Sequence, residues 1–364
     1  ADQDFHRRDL FTAITSGAFP EWGLSIQAVP EGEETDLPFD ILDATKLIPE
    51  EMYPLIPIGR MVLDRWPDNF FAETEQVAFC PAHIVPGIEF SDDPLLQGRI
   101  FSYTDTQLSR LGSPNFHEIP INRPKCPMHN FQRDGHMRME VNKGQTSFEP
   151  ASLEGGPRES PLGFHTHPAA DTGAKARVRS ETFADHYTQA RLFWRSMTEP
   201  EQRHIVNAFT FELSKVSTAA VRTRMLGHLH VIEPELGQRV ADGLGMQGMA
   251  DSIAPAKQPF DMKPSPALSI LAKAIPTLEG RKVGVLIGDG FDHGLVEKLR
   301  AAVTAEGAMF EIVAPKVGGA LAADGTKLAA DHMIAGGPSV IFDAVVVAPG
   351  AAAIPDLLIS AAAV

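Results

Sequence analysis

Apolar and polar positions along the 364 residues change rhythm several times, and each change predicts a different kind of structure. Asp2 to Ala78 is rich in proline and acidic residues. Within it the spacing predicts a helix near Arg8–Gly17, and Trp22–Val29 alternates as a strand does. From Phe79 to Phe183 periodicity is scarce, which fits an irregular arm draped over other structure. One helix interrupts it: Asp93 suits an N-cap, Pro94 the first helical position and Gly112 the residue past the end, about five turns later. Thr198 and Glu201 have the spacing of a capping box, and Ile205, Phe209, Leu213 and Val216 follow as one apolar stripe. A second helical stretch covers Ser217–His230 and a third ends at Ala241–Gly245. Prolines 255, 259, 264, 266 and 276 predict a linker over 254–280.

Beyond Arg281 the rhythm becomes strand, helix, strand. Val283–Ile287, Phe310–Val313 and Ala344–Val347 read as strands and Leu295–Ala305 as a helix, the opening of an α/β domain with a parallel sheet. Three strands rarely complete such a sheet, so this domain is expected to be cut short. The chain accordingly divides into 1–78, 79–183, 184–253, 254–280 and 281–364.

Composition narrows the chemistry. Lys+Arg 32 against Asp+Glu 47 gives a net charge of −15, which disfavours nucleic acid and anionic lipid as partners. With 43% hydrophobic residues the chain can bury a sizeable core. Two cysteines make no disulfide framework, and a reducing cytoplasm is the simplest location. The most apolar stretch, Val340–Val364, is broken by Asp343, Pro349, Gly350, Pro355 and Asp356, so no membrane span is expected, and no signal peptide is visible. An opening inside a charged segment and an ending in an apolar run lead us to expect part of a longer protein.

The helix after Asp93 carries the chemistry. Arg99 and Tyr103 are four apart and Arg110 lies seven further on, so all three share a face, with Leu95 a turn before them. A guanidinium beside a phenol favours the phenolate, a hard ligand suited to ferric iron. By spacing alone the pair also fits an Arg stacked on a buried Tyr. Tyr53 and Tyr187 are the other tyrosines.

Ala78-Phe79-Cys80-Pro81-Ala82-His83-Ile84-Val85-Pro86-Gly87-Ile88, with Asp93 to Thr106, closely resembles the proximal haem segment of monofunctional haem catalases. Arg110–Gly112, Asn115–Asn122, His129–Gly135, Asp4–Leu10 and Glu201–Val206 extend the likeness over nearly the whole chain, and the α/β region resembles the C-terminal domain of the large-subunit branch. The resemblance implies an α+β catalase-like fold: the end of a β-barrel over 1–78, a wrapping arm with the proximal haem helix over 79–183 and an α-helical domain over 184–253. A linker and an incomplete α/β flavodoxin-like domain would follow. It implies Tyr103 as axial ligand of the haem iron (haem b or d), Arg99 as its charge partner, Arg110 facing a propionate, and Phe79 and Leu95 against the macrocycle. Disproportionation of hydrogen peroxide to water and oxygen by a homotetramer is the implied activity. Cys80 stands where some large-subunit members have a histidine joined covalently to the ligand tyrosine, so that bond is not expected. The distal histidine and asparagine of the family are expected to lie outside these residues. A non-catalytic truncated assembly or haem-binding module is therefore the alternative.

Other signals are weaker. Gly288-Asp289-Gly290-Phe291-Asp292-His293-Gly294 between strand and helix has the wrong spacing for a dinucleotide fingerprint, and reads as an ordinary tight turn. His165/His167 and His228/His230 lack a second pair at zinc-site spacing. Cys80 and Cys126 form no C-x-x-C motif, and Glu31, Glu33, Glu34 and Asp36 read as a solvated loop.

Overall fold

A computed structural model of the chain describes residues 4–125, 132–143, 161–163, 165–166, 176, 178–179 and 181–359. Cys126 and His167 lie outside the described residues, as do His129, Asn130 and Phe131. The chain forms two compact units: one of 22–61 and 65–273, the other of 1–21, 62–64 and 274–364.

Helix α1 (Phe5–Thr15) begins three residues earlier than its apolar spacing predicts. Strand β1 (Glu21–Ile26) pairs with β2 (Ile56–Val62), which the sequence pattern does not announce. Pro57 and Gly59 interrupt β2, and proline is tolerated only where a strand has no ladder bond to donate. The short helix α2 (Phe70–Glu73) is capped by Asn69, whose side chain accepts from the N–H groups of Phe71 and Ala72. Helix α3 (Pro94–Leu111) then runs between the ends expected of it.

Four helices build the core of the unit of 22–61 and 65–273: α4 (Thr188–Ser196), α5 (Glu199–Ser214), α6 (Ala219–Ile232) and α7 (Pro234–Leu244). Trp194, Val206, Leu213, Leu226, Leu229, Leu236 and Val240 pack together, and the predicted stripe of Ile205, Phe209, Leu213 and Val216 faces them. Fully burying an aliphatic side chain stabilises by about 1.5–3 kcal/mol, so this cluster accounts for the order of the helices. Close approach of α6 and α7 depends on Gly237, where a Cβ would lie 2.8 Å from His230 Cα. Helix α4 was missed by pattern reading because its buried residues, Thr188, Leu192, Trp194 and Ser196, are half polar.

The proline-rich stretch after Ala254 is bonded to α5 as far as Leu271 and to the turn at Glu50–Glu51 as far as Lys273. Glu51 accepts from Ser265 Oγ and Ala267 N–H, and Glu201 accepts from Ser269 Oγ and the N–H groups of Ile270 and Leu271. The expected capping interaction is present as well: Glu201 accepts from Thr198 N–H at 2.9 Å.

In the other unit β3 (Lys282–Leu286) is followed by α8 (His293–Ala305) and β4 (Met309–Ala314). A small antiparallel pair, β5 (Ala320–Leu321) and β6 (Lys327–Leu328), precedes β7 (His332–Met333) and β8 (Ala344–Val347), and α9 (Ile354–Ile359) closes the described part. The parallel sheet has the order β7-β4-β3-β8, four strands where the pattern predicts three. At two residues β7 is too short to show any period. Val285, Ile287, Phe291, Val296 and Ile312 are fully buried between sheet and helix.

Glu201 supplies a test of the docked stretch. Desolvation pushes its carboxyl up, but hydrogen bonds from Ser269, Thr198 and Leu271 outweigh that and bring it from 4.5 to about 2. A depressed carboxyl stabilises the fold fully above its unfolded value and loses that contribution as pH falls toward its folded value. Glu201→Gln is therefore expected to lower the denaturation midpoint at pH 7. The gap to the parent protein should narrow once the pH drops below about 4.5, as urea titrations between pH 7 and 3 would show.

Candidate functional site

The ends of α3 are fixed chemically, which fixes the face it presents. Asp93 accepts from Leu95 N–H at 2.9 Å, Pro94 occupies the first turn, and Gly112 takes φ +71° past the last turn. At about 100° per residue, Leu95, Arg99, Tyr103, Gln107 and Arg110 fall within an arc of about 120°. Arg99 Nη2 donates to Tyr103 Oη at 3.4 Å, and its guanidinium carbon stands 5.1 Å from the ring centroid. Phe79 meets the same ring edge-on, with centroids 5.8 Å apart and planes at 79°. Arg99 and Tyr103 are half-buried, whereas Phe79 and Leu95 are 65% and 56% exposed.

The three tyrosines have different surroundings. Tyr53 donates to Glu33 at 3.1 Å, and desolvation together with that carboxylate pushes its phenol up. Tyr187 is buried, with its hydroxyl 2.8 Å from His228 Nδ1. Of the three, Tyr103 is the one with a guanidinium donating to its oxygen. With apolar surface left open at Phe79 and Leu95, the donor set fits a flat, largely apolar macrocycle whose metal takes one oxygen ligand. Among the described residues no group of three or more His, Cys, Asp or Glu could hold a metal ion.

Arg110 turns toward the backbone. Its Nη1 donates to Glu75 O at 2.8 Å, Nη2 to Val77 O and, at 2.7 Å, to Gln107 Oε1, which also accepts from Nε. Four of its five N–H donors are thus engaged within the chain. Gln107 and Asn122, which pattern reading did not single out, grip the same segment. A signal for Gln107 was present in its place on the Arg99–Tyr103 face, and it is the one buried residue of α3. Cys80 Sγ lies 3.9 Å from Thr104 Oγ1, and Cys80 is free. His83 stacks on buried Phe116 at 5.8 Å, and burial with the neighbouring His117 lowers its ring pKa.

The Gly288–Gly294 turn is filled by the chain itself. Gly290 N–H donates to Leu321 O at 2.7 Å, Gly350 N–H donates to Gly288 O at 3.3 Å, and a Cβ on Gly350 would lie 2.2 Å from Asp289 O. His165 Nε2 stands 3.1 Å from Pro161 O, and Glu33 of the acidic loop is engaged by Tyr53. No helix among the described residues is long and apolar enough to cross a membrane.

Comparison with known proteins finds one family along most of the chain. A model described as Catalase matches residues 1–155, one described as Catalase-related immune-responsive matches 180–244, and one described as C-terminal domain found in long catalases matches 279–363. Similar curated proteins include Catalase C of Rhizobium meliloti, 55% identical over 98% of this chain and 51% of its own length. Catalase HPII of Pseudomonas aeruginosa is 50% identical over 96% of this chain and 50% of its own. Catalase-B of Dictyostelium discoideum is 49% identical over 95% and 51%. The chain spans about half the length of the curated relatives it matches.

Arg110→Met removes the donors to Glu75 and Val77 while keeping an apolar stem. Charge-assisted hydrogen bonds contribute about 1.5–3 kcal/mol each when well shielded and less at an exposed residue such as this one. A loss of about 2 kcal/mol is expected, together with faster hydrogen exchange in peptides covering 75–79.

Proposed function

Since the chain belongs to the catalase family, in the long branch with a further C-terminal domain, we propose that it provides the proximal haem face of an enzyme that disproportionates hydrogen peroxide to water and oxygen. The observation that carries this reading is the Arg99–Tyr103 hydrogen bond on a helix whose neighbouring apolar surface is open. Bound haem iron, whether in haem b or haem d, would supply the redox chemistry by which one peroxide is reduced and a second oxidised.

The residues of this chain hold and tune that group. Tyr103 Oη is the proposed ligand, and Arg99 keeps a positive charge on it. Leu95, one turn before Arg99, and Phe79, edge-on to Tyr103, offer the apolar contacts to the macrocycle. Arg110 retains one Nη1 hydrogen for a propionate after gripping Glu75, Val77 and Gln107, so its charge would serve both backbone and cofactor. We read 1–78 as barrel, 79–183 as wrapping arm, 184–253 as helical domain and 281–364 as flavodoxin-like, a reading supported for the last by the parallel order β7-β4-β3-β8. A cytoplasmic homotetramer is part of the same proposal.

Tyr103→Phe in the haem-loaded full-length protein keeps the ring and removes the oxygen. Loss of the ferric–tyrosinate charge-transfer bands, weaker haem retention and a fall of oxygen release per haem by at least about 100-fold are expected, in line with losing a ligand that tunes the metal. An unchanged spectrum with unchanged turnover would exclude Tyr103. Arg99→Leu is milder: without the cation facing the ligand oxygen, the charge-transfer bands should shift and oxygen release per haem should fall, by less than in Tyr103→Phe. Unshifted bands with unchanged turnover would count against the pairing.

A further inference from the structure

The segment 75–79 is held at five consecutive residues by three side chains, and the grip alternates. Arg110 takes the carbonyls of Glu75 and Val77, Asn122 takes the carbonyl of Gln76 and the N–H of Ala78, and Gln107 takes the carbonyl of Phe79. Odd residues are therefore bonded to α3 and even ones to Asn122. Phe79 stands at the end of this series. Its side chain is 65% exposed, so packing does little to fix it, and the bond from Gln107 Nε2 to its carbonyl at 3.1 Å is the nearest restraint.

The orientation of the Gln107 amide is dictated by its neighbours. Arg110 is a pure donor and twice engages Oε1, at 3.2 and 2.7 Å, while the Phe79 carbonyl is a pure acceptor and must face Nε2. A flipped amide would set donor against donor and acceptor against acceptor. At 5% exposure, neither end can turn to water instead.

We propose that Gln107 is a positioning residue: its carboxamide, locked by Arg110, holds Phe79 edge-on to Tyr103 and so fixes the orientation of the proposed ligand ring. The inference rests on Tyr103 being the haem ligand. A perpendicular aromatic neighbour restricts ring rotation, because the positive edge of one ring prefers the negative face of the other.

Two variants of the haem-loaded full-length protein separate the bonds. Gln107→Leu removes both. Gln107→Glu keeps an acceptor for Arg110 but sets a carboxylate against the Phe79 carbonyl, so it breaks only the bond that positions Phe79. The readouts are the phenolate vibrations in resonance Raman spectra, the rate of haem transfer to apomyoglobin, and hydrogen exchange over 75–80. Both variants are expected to shift or broaden the phenolate modes, to release haem about tenfold faster, as the loss of one buried hydrogen bond implies, and to exchange faster over 75–80. If Gln107→Leu does not fold, Gln107→Glu alone decides, since it retains the Arg110 contacts. Gln107→Glu matching the parent in all three readouts would overturn the proposal, as would a lowered melting temperature with unmoved phenolate modes. The ligand reading fails separately, if Tyr103→Phe keeps the phenolate modes. Exchange over 75–80 in the Gln107 variants still reports on the grip in that event.

Discussion

Residues 75–79 belong to no strand, so their carbonyls have no ladder to pair with, and the site depends on where those acceptors find donors. Glu75, Val77 and Phe79 are exposed and Gln76 and Ala78 half-buried, so water could satisfy several of these groups, and what side-chain donors add is a defined course for the segment. Arg110 and Gln107 at one end of α3 supply donors, with Asn122 opposite. Because the polar part of the α3 face is committed to this task, the part carrying Leu95, Arg99 and Tyr103 stays free to meet a ligand. The exposed rings and aliphatic groups there would be a liability on a surface with no partner to cover them.

Carboxylates do for the proline-rich stretch what Arg110 does for 75–79, with the polarity reversed. Glu51 and Glu201 accept from backbone N–H groups and serine hydroxyls of 265–271, and both carboxyls are held below their ordinary values. For Glu51 the hydrogen bond from Ser265 is the main cause. A proline-interrupted segment with no regular ladder thus acquires a fixed course through side-chain acceptors, one of them on α5, which is itself held by an apolar core. In the unit of the parallel sheet the equivalent constraint is steric. Gly350 lets the chain pass against the backbone of Asp289 and Gly290, so the turn after β3 is packed by its own chain and presents no open cradle.

Local chemistry was legible wherever neighbours in sequence decide the outcome. Both ends of α3, the Arg99–Tyr103 pair, the stripe of α5 and the β3–α8–β4 succession could be read from spacing, because helix caps, i,i+4 contacts and period-two burial depend on residues a few positions apart. The Asp93 cap and Gly112 at positive φ are cases in which a single residue type is the physical requirement.

Long-range pairing was not legible. Strand β2 carries Pro57 and Gly59 and exists because β1 lies beside it, and β7 has two residues and exists because β4 offers a ladder. Gln107 has the composition of a solvated helix position, and only the approach of a segment 28 residues earlier makes it buried and doubly bonded. The sequence by itself determined which residues share a face of α3 and to which family the chain is similar. Tertiary structure decided that Arg110 grips a backbone segment and that Phe79 meets Tyr103 edge-on. The reason is that a hydrogen-bond donor has no sequence rule for acceptors far along the chain; its partner is whichever acceptor the fold brings within reach.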